Sequence, residues 1–275
     1  MKMYKLFGAA IVASMMLISC SEEEASTNAS SVPETVITKL KAMGFNPDGI
    51  QKVDEGYRIE RDIIITEEFL EHAGAEQVVP DLEQYSTNNL VSTGGSRLIT
   101  LYAPVGGRKG YSAGMIAGLD LAIARYNAQN LEISFQRVTS SAGADIVMTR
   151  LAKGDERRGI LGSAGFPTAG GDPYGEIKMS GILESSYGLS TEGIATIIAH
   201  EMGHCIGLRH TDYFNRAISC GGSASNEGDG GVGANHIPGT PTGATLNAQS
   251  YMLSCTDGSD RPFNNDDRTA LGYLY

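Results

Sequence analysis

The sequence predicts an α+β fold in which helices and strands share one sheet, and three observations predict it. Apolar residues recur at helical spacing twice, as Met115, Ile116, Leu119, Ala122, Ile123 and Tyr126 and again as Ile194, Ile198, Met202 and Cys205. Between these stretches Leu131, Ile133 and Phe135 alternate with Glu132, Ser134 and Gln136, the period of a half-buried strand. The 275 residues, 41% hydrophobic, suffice for one good-sized domain and a smaller segment. A net charge of −11 and a pI near 4.9 disfavour nucleic acid or an anionic membrane surface as partner.

The chain divides into four parts. In residues 1–20, Lys2 and Lys5 precede an apolar run from Leu6 to Ile18 that is too short to span a bilayer and reads as a secretory signal. Its end, LISC, resembles a bacterial lipobox, which implies cleavage before Cys20, lipidation of that cysteine and anchoring at the outer membrane. An ordinary secreted protein with an incidental Cys20 is the alternative. Residues 21–31 form a soluble tether. Its SEEE start resembles the surface-export signal of certain lipoproteins, leaving cell-surface and periplasmic faces both open.

Residues 32–95 make a small N-terminal segment with a linker. Pro33 suits a first helical turn, Val36, Ile37, Leu40 and Met43 share a face, and Gly44 is a C-terminal stop. A strand is expected from Tyr57 to Ile65, then a short helix capped by Thr66. Residues 73–96, running into STGGSR, read as an exposed linker and an activation cleavage site.

Residues 96–275 make the main domain. It opens with a strand from Arg97 to Ala103 and a helix capped by Ser112, and continues with the alternating strand and a further one in ADIVMTRL. Gly and Pro punctuate two extended pieces between Gly159 and Gly181, the second being GEIKMSG. A Gly/Ser/Asn-rich stretch over about 216–249 has no period, and loops of such length tend to be functional. Asp229 within it is a lone acidic residue that could bind calcium with other oxygens. A helix capped by Asn264 or Asn265 closes the chain.

The chemistry gathers in STEGIATIIAHEMGHCIGLRHTD, residues 190–212. Ser190 can cap the helix and Glu192 suits its first turn. His200 and His204, four apart, project side by side and can share one metal ion, with Glu201 placed as a base toward its water. Gly207 can end the helix in a left-handed conformation and bring back His210 as third ligand. Three neutral imidazoles leave Zn²⁺ an open position, as a catalytic site requires. A bare HExxH arises by chance in roughly one chain in a hundred of this length, and the Gly and third His reduce that to roughly one in 10⁵.

These residues resemble the metzincin clan of zinc peptidases, with its HExxHxxGxxH motif and downstream Met-turn. HEMGHCIGLRHTDYFNR looks like the dual-action HEIGH metallopeptidase family, with Met202 where the family name has Ile. The resemblance implies a metzincin-like zincin with a mixed, mostly parallel twisted sheet, an active-site helix, a Met-turn and a C-terminal helix. Met252 in SYMLSC would be the Met-turn methionine, and GEIKMSG the antiparallel edge strand along which a peptide lies. RIERDIIIT is similar to the FEGDI segment of astacin propeptides, which would make Asp62 a latency switch, with Arg61 in the place of the family's Gly. Astacins and serralysins carry a Tyr two residues after the methionine, where this chain has Ser254, so no oxyanion helper is named.

Three cysteines follow Cys20. Cys220 and Cys255 flank the cleft loop and are the favoured disulfide, leaving Cys205 on the apolar side of its helix. The function expected is a zinc-dependent endopeptidase acting on protein or peptide substrates as a monomer, made as a latent secreted lipoprotein. A catalytically inactive zinc-stabilised surface binding or adhesion lipoprotein, and a hydrolase of non-peptide amides or esters, are the alternatives.

Overall fold

The computed structural model describes residues 32–43, 45–72, 84–107, 109–228, 231–241, 244 and 248–275. The signal, Cys20, the tether, Gly44 and Asp229 lie outside them. Among the described residues no helix is long and apolar enough to cross a membrane.

The N-terminal segment folds around its own small core. Helix α1 (Glu34–Ala42) is followed by β1 (Gln51–Val53), β2 (Gly56–Ile59) and β3 (Ile63–Ile65), which form an antiparallel sheet in that order, and by α2 (Glu67–His72). Thr66 Oγ1 caps α2 by accepting from Phe69 N at 3.1 Å. Leu40, Met43, Phe45, Tyr57, Ile59, Ile63, Ile65 and Leu70 are buried together, joined from the rest of the chain by Val232. The expected single strand from Tyr57 to Ile65 is thus two strands, because Glu60 and Arg61 turn the chain with φ of 54° and 83°. Arg61 holds a left-handed conformation that a Gly would adopt without strain.

The main sheet follows. Strand β4 (Tyr85–Ser86) precedes β5 (Arg97–Tyr102), α3 (Ala113–Asn127), β6 (Ile133–Val138), β7 (Ile146–Arg150), α4 (Lys153–Arg157), β8 (Gly162–Ser163) and β9 (Glu176–Met179). Five of these strands pair in the order β6-β5-β7-β9-β8, all in parallel except β8 against β9. Ile99, Leu101, Ile133, Phe135, Ile146, Met148, Ile177 and Met179 pack against Met115, Leu119 and Tyr126 of α3 in one large core. Helix α5 (Thr191–Cys205) contributes Ile194, Ile198, Met202 and Cys205 to the same core. Helix α6 (Ala217–Cys220), β10 (Asn235–His236) and α7 (Asn265–Leu274) complete the order. Asn264 caps α7 in a reciprocal box with Asp267, and Leu271 is buried beneath it.

Three expectations are corrected. GEIKMSG is not the edge: β9 pairs with β7 and β8 on its two sides, and the edge falls to β8 and Ala164. Lys178 of β9 pairs with Glu55. Of the linker expected over 73–96, residues 73–83 lie outside the described ones, and the remainder is exposed only in part, since Gln84, Tyr85, Ser86, Thr87 and Val91 are buried. Their polar atoms are satisfied at long range, as where Gln84 donates to Asp267 and Thr87 N to the Gly207 carbonyl. The stretch 216–249, expected to lack regular structure, contains α6 and β10, the latter paired with β4.

Candidate metal centre and cleft

Helix α5 places the first two histidines. Ser190 Oγ accepts from Gly193 N at 3.2 Å and starts the helix, while Ile194, Ile198, Met202 and Cys205 hold one face against the core. The opposite face then presents His200 and His204 with ring centroids 4.6 Å apart. At the end of α5 Gly207 takes φ 105°, Leu208 N donates to the Gly203 carbonyl, and the chain reverses so that His210 returns to the pair. Its ring lies 5.1 Å from that of His200 and 4.9 Å from that of His204.

The partners of the three rings fix their tautomers. His200 Nδ1 lies 2.9 Å from the Tyr251 carbonyl, His204 Nδ1 2.8 Å from the Leu208 carbonyl, and His210 Nδ1 2.7 Å from Glu227 Oε1. Each Nδ1 can only donate to such an oxygen, so in the neutral ring each Nε2 is left as an acceptor. Asp62, from the turn between β2 and β3, enters the same space with Oδ2 3.2 Å from His210 Nε2 and 3.8 Å from His200 Nε2. One ligand-type atom from each of Asp62, His200, His204 and His210 lies within 4.8 Å of the others, all buried. Asp62 Oδ1, His204 Nε2 and His210 Nε2 have no hydrogen-bond partner. Buried acceptors converging without donors fit a cation, and three imidazoles with one carboxylate suit zinc.

Burial and the neighbouring charges shift the three rings in different directions. Burial alone would lower His210, but Glu227 and Asp62 raise it to about 10. Burial together with His210 lowers His200 to about 4, and burial with its two neighbours holds His204 well below the usual range. Burial would raise Asp62, yet the three histidines hold it below the usual carboxylate range.

Glu201 is 2% exposed, and its Oε2 is unpartnered. Burial and then Asp62 push its carboxyl well above the usual range. It lies directly over Gly162 of the edge strand, where no side chain intervenes. Beside it a cavity of about 180 Å³ is lined by Arg61, Asp62, Ile197, Leu253, Thr256 and Arg261 among others.

Met252 is fully buried with Sδ packed on Gly203, where even a methyl group would come within 2.5 Å. Thr211 N donates to its carbonyl at 2.8 Å, which ties this turn to the segment carrying His210. Tyr251 sends its hydroxyl into the core, 3.0 Å from that of Tyr126. Tyr213 stacks edge-on against Tyr85. Ser254 Oγ donates to Asp212 Oδ1 at 2.8 Å and lies 3.1 Å from Glu227 Oε1. Cys220 and Cys255 are disulfide-bonded, and Cys205 is free and buried. Sequence reasoning missed Glu227, Asp212 and Arg216; all lack a periodic pattern around them, and only the preceding His210 marks Asp212.

The cleft edge is occupied. Ala164 N donates to the Asp62 carbonyl at 2.9 Å and Ile64 N to the Ala164 carbonyl at 2.8 Å, so the N-terminal hairpin lies along the edge as one more strand. Arg58 pairs with Asp155 at 2.6 Å, Glu60 with Arg216 at 2.6 Å, and Arg61 donates to the carbonyls of Arg158 and Gly159.

Comparison with known proteins returns one family and several structures. The family model described as dual-action HEIGH metallo-peptidase matches residues 57–275, a span that includes Asp62, the three histidines and Met252. A structure of myroilysin shares 14% identity over 68% of this chain and 96% of that one, with a TM-score of 0.40. A GM1-bound form of the ECX AB5 holotoxin shares 18% over 68% and 81%, with a TM-score of 0.37. A crystal structure of myroilysin shares 14% over 75% and 95%, with a TM-score of 0.35. No curated protein sequence matches the chain.

Proposed function

Since this chain belongs to the dual-action HEIGH metallopeptidase family, we propose that it is a zinc endopeptidase of the metzincin type, exported as a lipoprotein and kept latent by its N-terminal hairpin. The observation that carries the reading is the convergence of three buried imidazole acceptors beside an unpartnered Glu201. His200, His204 and His210 would hold the metal. Zinc, when bound, supplies a Lewis acid that polarises a carbonyl and lowers the pKa of water.

The remaining work falls to the chain. Glu201 takes a proton from the attacking water and returns it to the leaving amide nitrogen as the C–N bond breaks. It must be ionised to begin, and burial first and Asp62 second push its carboxyl well above the usual range. Withdrawal of Asp62 would therefore free the histidines and lower the Glu201 pKa together. The amide and carbonyl of Ala164 would then be free to bond an extended substrate. Met252 packed beneath Gly203 supports the Met-turn assignment, because Tyr251 of the same turn orients His200.

Latency is supported by the hairpin's hold on the edge and by a core drawn almost wholly from its own segment. Export and lipidation at Cys20 rest on the apolar run and LISC. Labelling of the wild type but not of Cys20→Ala with a fatty acid tests the anchor. Zinc content and cleavage of a denatured protein by the chain from Ser21, before and after limited proteolysis, test the enzyme. One zinc with activity after proteolysis is expected; one zinc with no activity in either form would favour a binding protein instead.

A further inference from the structure

The three imidazoles are not held alike. His200 and His204 stand on one helix, and each gives its Nδ1 proton to a neutral main-chain carbonyl. His210 lies beyond the helix end, after the Gly207 reversal, and gives its proton to a carboxylate, Glu227. A ring carried by a loop has no helical rotamer limits, so its direction depends on that partner.

Glu227 is itself rigidly placed. It is fully buried, and its own amide donates to the Tyr213 carbonyl at 2.7 Å. Oε1 accepts from His210 at 2.7 Å and Arg216 at 3.1 Å, and Ser254 Oγ lies 3.1 Å from it. Oε2 faces Arg209 at 3.6 Å, and Arg209 donates to the Gly228 and Gly233 carbonyls on either side of the same loop. An isolated carboxylate would not stay ionised at such depth, but two guanidinium groups flank this one.

The geometry points to Glu227 as the positioning residue of the metal centre: it fixes the tautomer and direction of the His210 ring, so that Nε2 faces the His200–His204 pair and binds metal more tightly. It touches no reacting atom. The inference rests on the metallopeptidase reading and adds the residue on which the third ligand depends.

The test uses the chain from Ser21 and three proteins: wild type, Glu227→Gln and Glu227→Ala. Zinc affinity is read by competition with a chromophoric chelator, and ligand geometry by the visible spectrum of the Co²⁺ form. Loss of a partner of this kind weakens metal binding by about 10- to 100-fold. The full loss is expected in Glu227→Ala, with a smaller one in Glu227→Gln, whose amide oxygen still accepts from Nδ1. The Co²⁺ bands should change in both. A merely structural Glu227 would lower the melting temperature of metal-free and zinc forms equally and leave affinity and spectrum as in the wild type. That result overturns the inference while the metal site stands. A wild type that binds no zinc overturns both. If Glu227→Ala does not fold, the nearly isosteric Glu227→Gln decides.

Discussion

Replacing Gly162 by Ala adds one methyl group at the point where the cleft edge meets the candidate base. That Cβ would lie 2.3 Å from Glu201 Oε1 and 2.8 Å from its Cγ and Cδ. Ordinary carbon–oxygen contact begins at about 3.4 Å, so the carboxylate must retreat by roughly 1 Å. The strand backbone is not left-handed at Gly162, so alanine brings no strain of its own there. Because the displaced atoms end a flexible side chain, the stability cost should sit at the low end of overpacking, about 1 kcal/mol. A catalytic group misplaced by about 1 Å costs on the order of 10²-fold in rate, or about 2.7 kcal/mol of barrier. We expect kcat/KM of the proteolytically activated variant to fall on the order of 10²-fold with zinc content unchanged. The assay is cleavage of a fluorogenic peptide beside metal analysis and a thermal melt. A kcat/KM close to that of the wild type would refute the placement of Glu201 as base.

Other outcomes follow from the same geometry. Asp62→Ala removes the carboxylate 3.2 Å from His210, so the untreated chain should cleave peptide faster by at least about 10-fold; the rate without proteolysis checks this. The metal-free chain should lose stability as pH rises from 6.5 through about 10, because His210 then sheds the proton that Glu227 and Asp62 hold more tightly in the folded state. For a group whose folded pKa is raised, that stabilisation is complete below the unfolded value and is lost above the folded one, at ~1.4 kcal/mol per pH unit across the window. Urea titrations at pH 6.5 and 10 should show the loss with a chelator present and not with zinc. Opening Cys220–Cys255, 35 residues apart, should destabilise the chain by about 4 kcal/mol in the loop-entropy account. Melting with and without reductant measures it.

What the sequence made legible is what is encoded locally. The cap at Ser190, the apolar stripe of α5, the two histidines four apart and the Gly207 reversal all lie within one contiguous stretch, and each appears in place. The alternation around Ile133 and a cap at Asn264 or Asn265, which falls at Asn264, are local in the same way. The edge strand β8 was not legible, since two residues carry no period and their pairing depends on Met179 and Lys178. The hairpin escaped because its turn uses Glu60 and Arg61, side chains that seldom adopt positive φ. Gln84 and Thr87 read as linker because their polarity is satisfied only by distant partners. Glu227 stands 17 residues from His210 in a stretch without pattern, and nothing short of the fold brings them together.

The central claim is that His200, His204 and His210 hold one zinc and that Glu201 performs the proton transfers. Metal analysis and protein cleavage on activated wild type and Glu201→Gln test it directly. The account predicts one zinc per chain in both proteins and a loss of at least about 10²-fold in cleavage by the variant. A zinc-loaded Glu201→Gln that cleaves as fast as the wild type would contradict it.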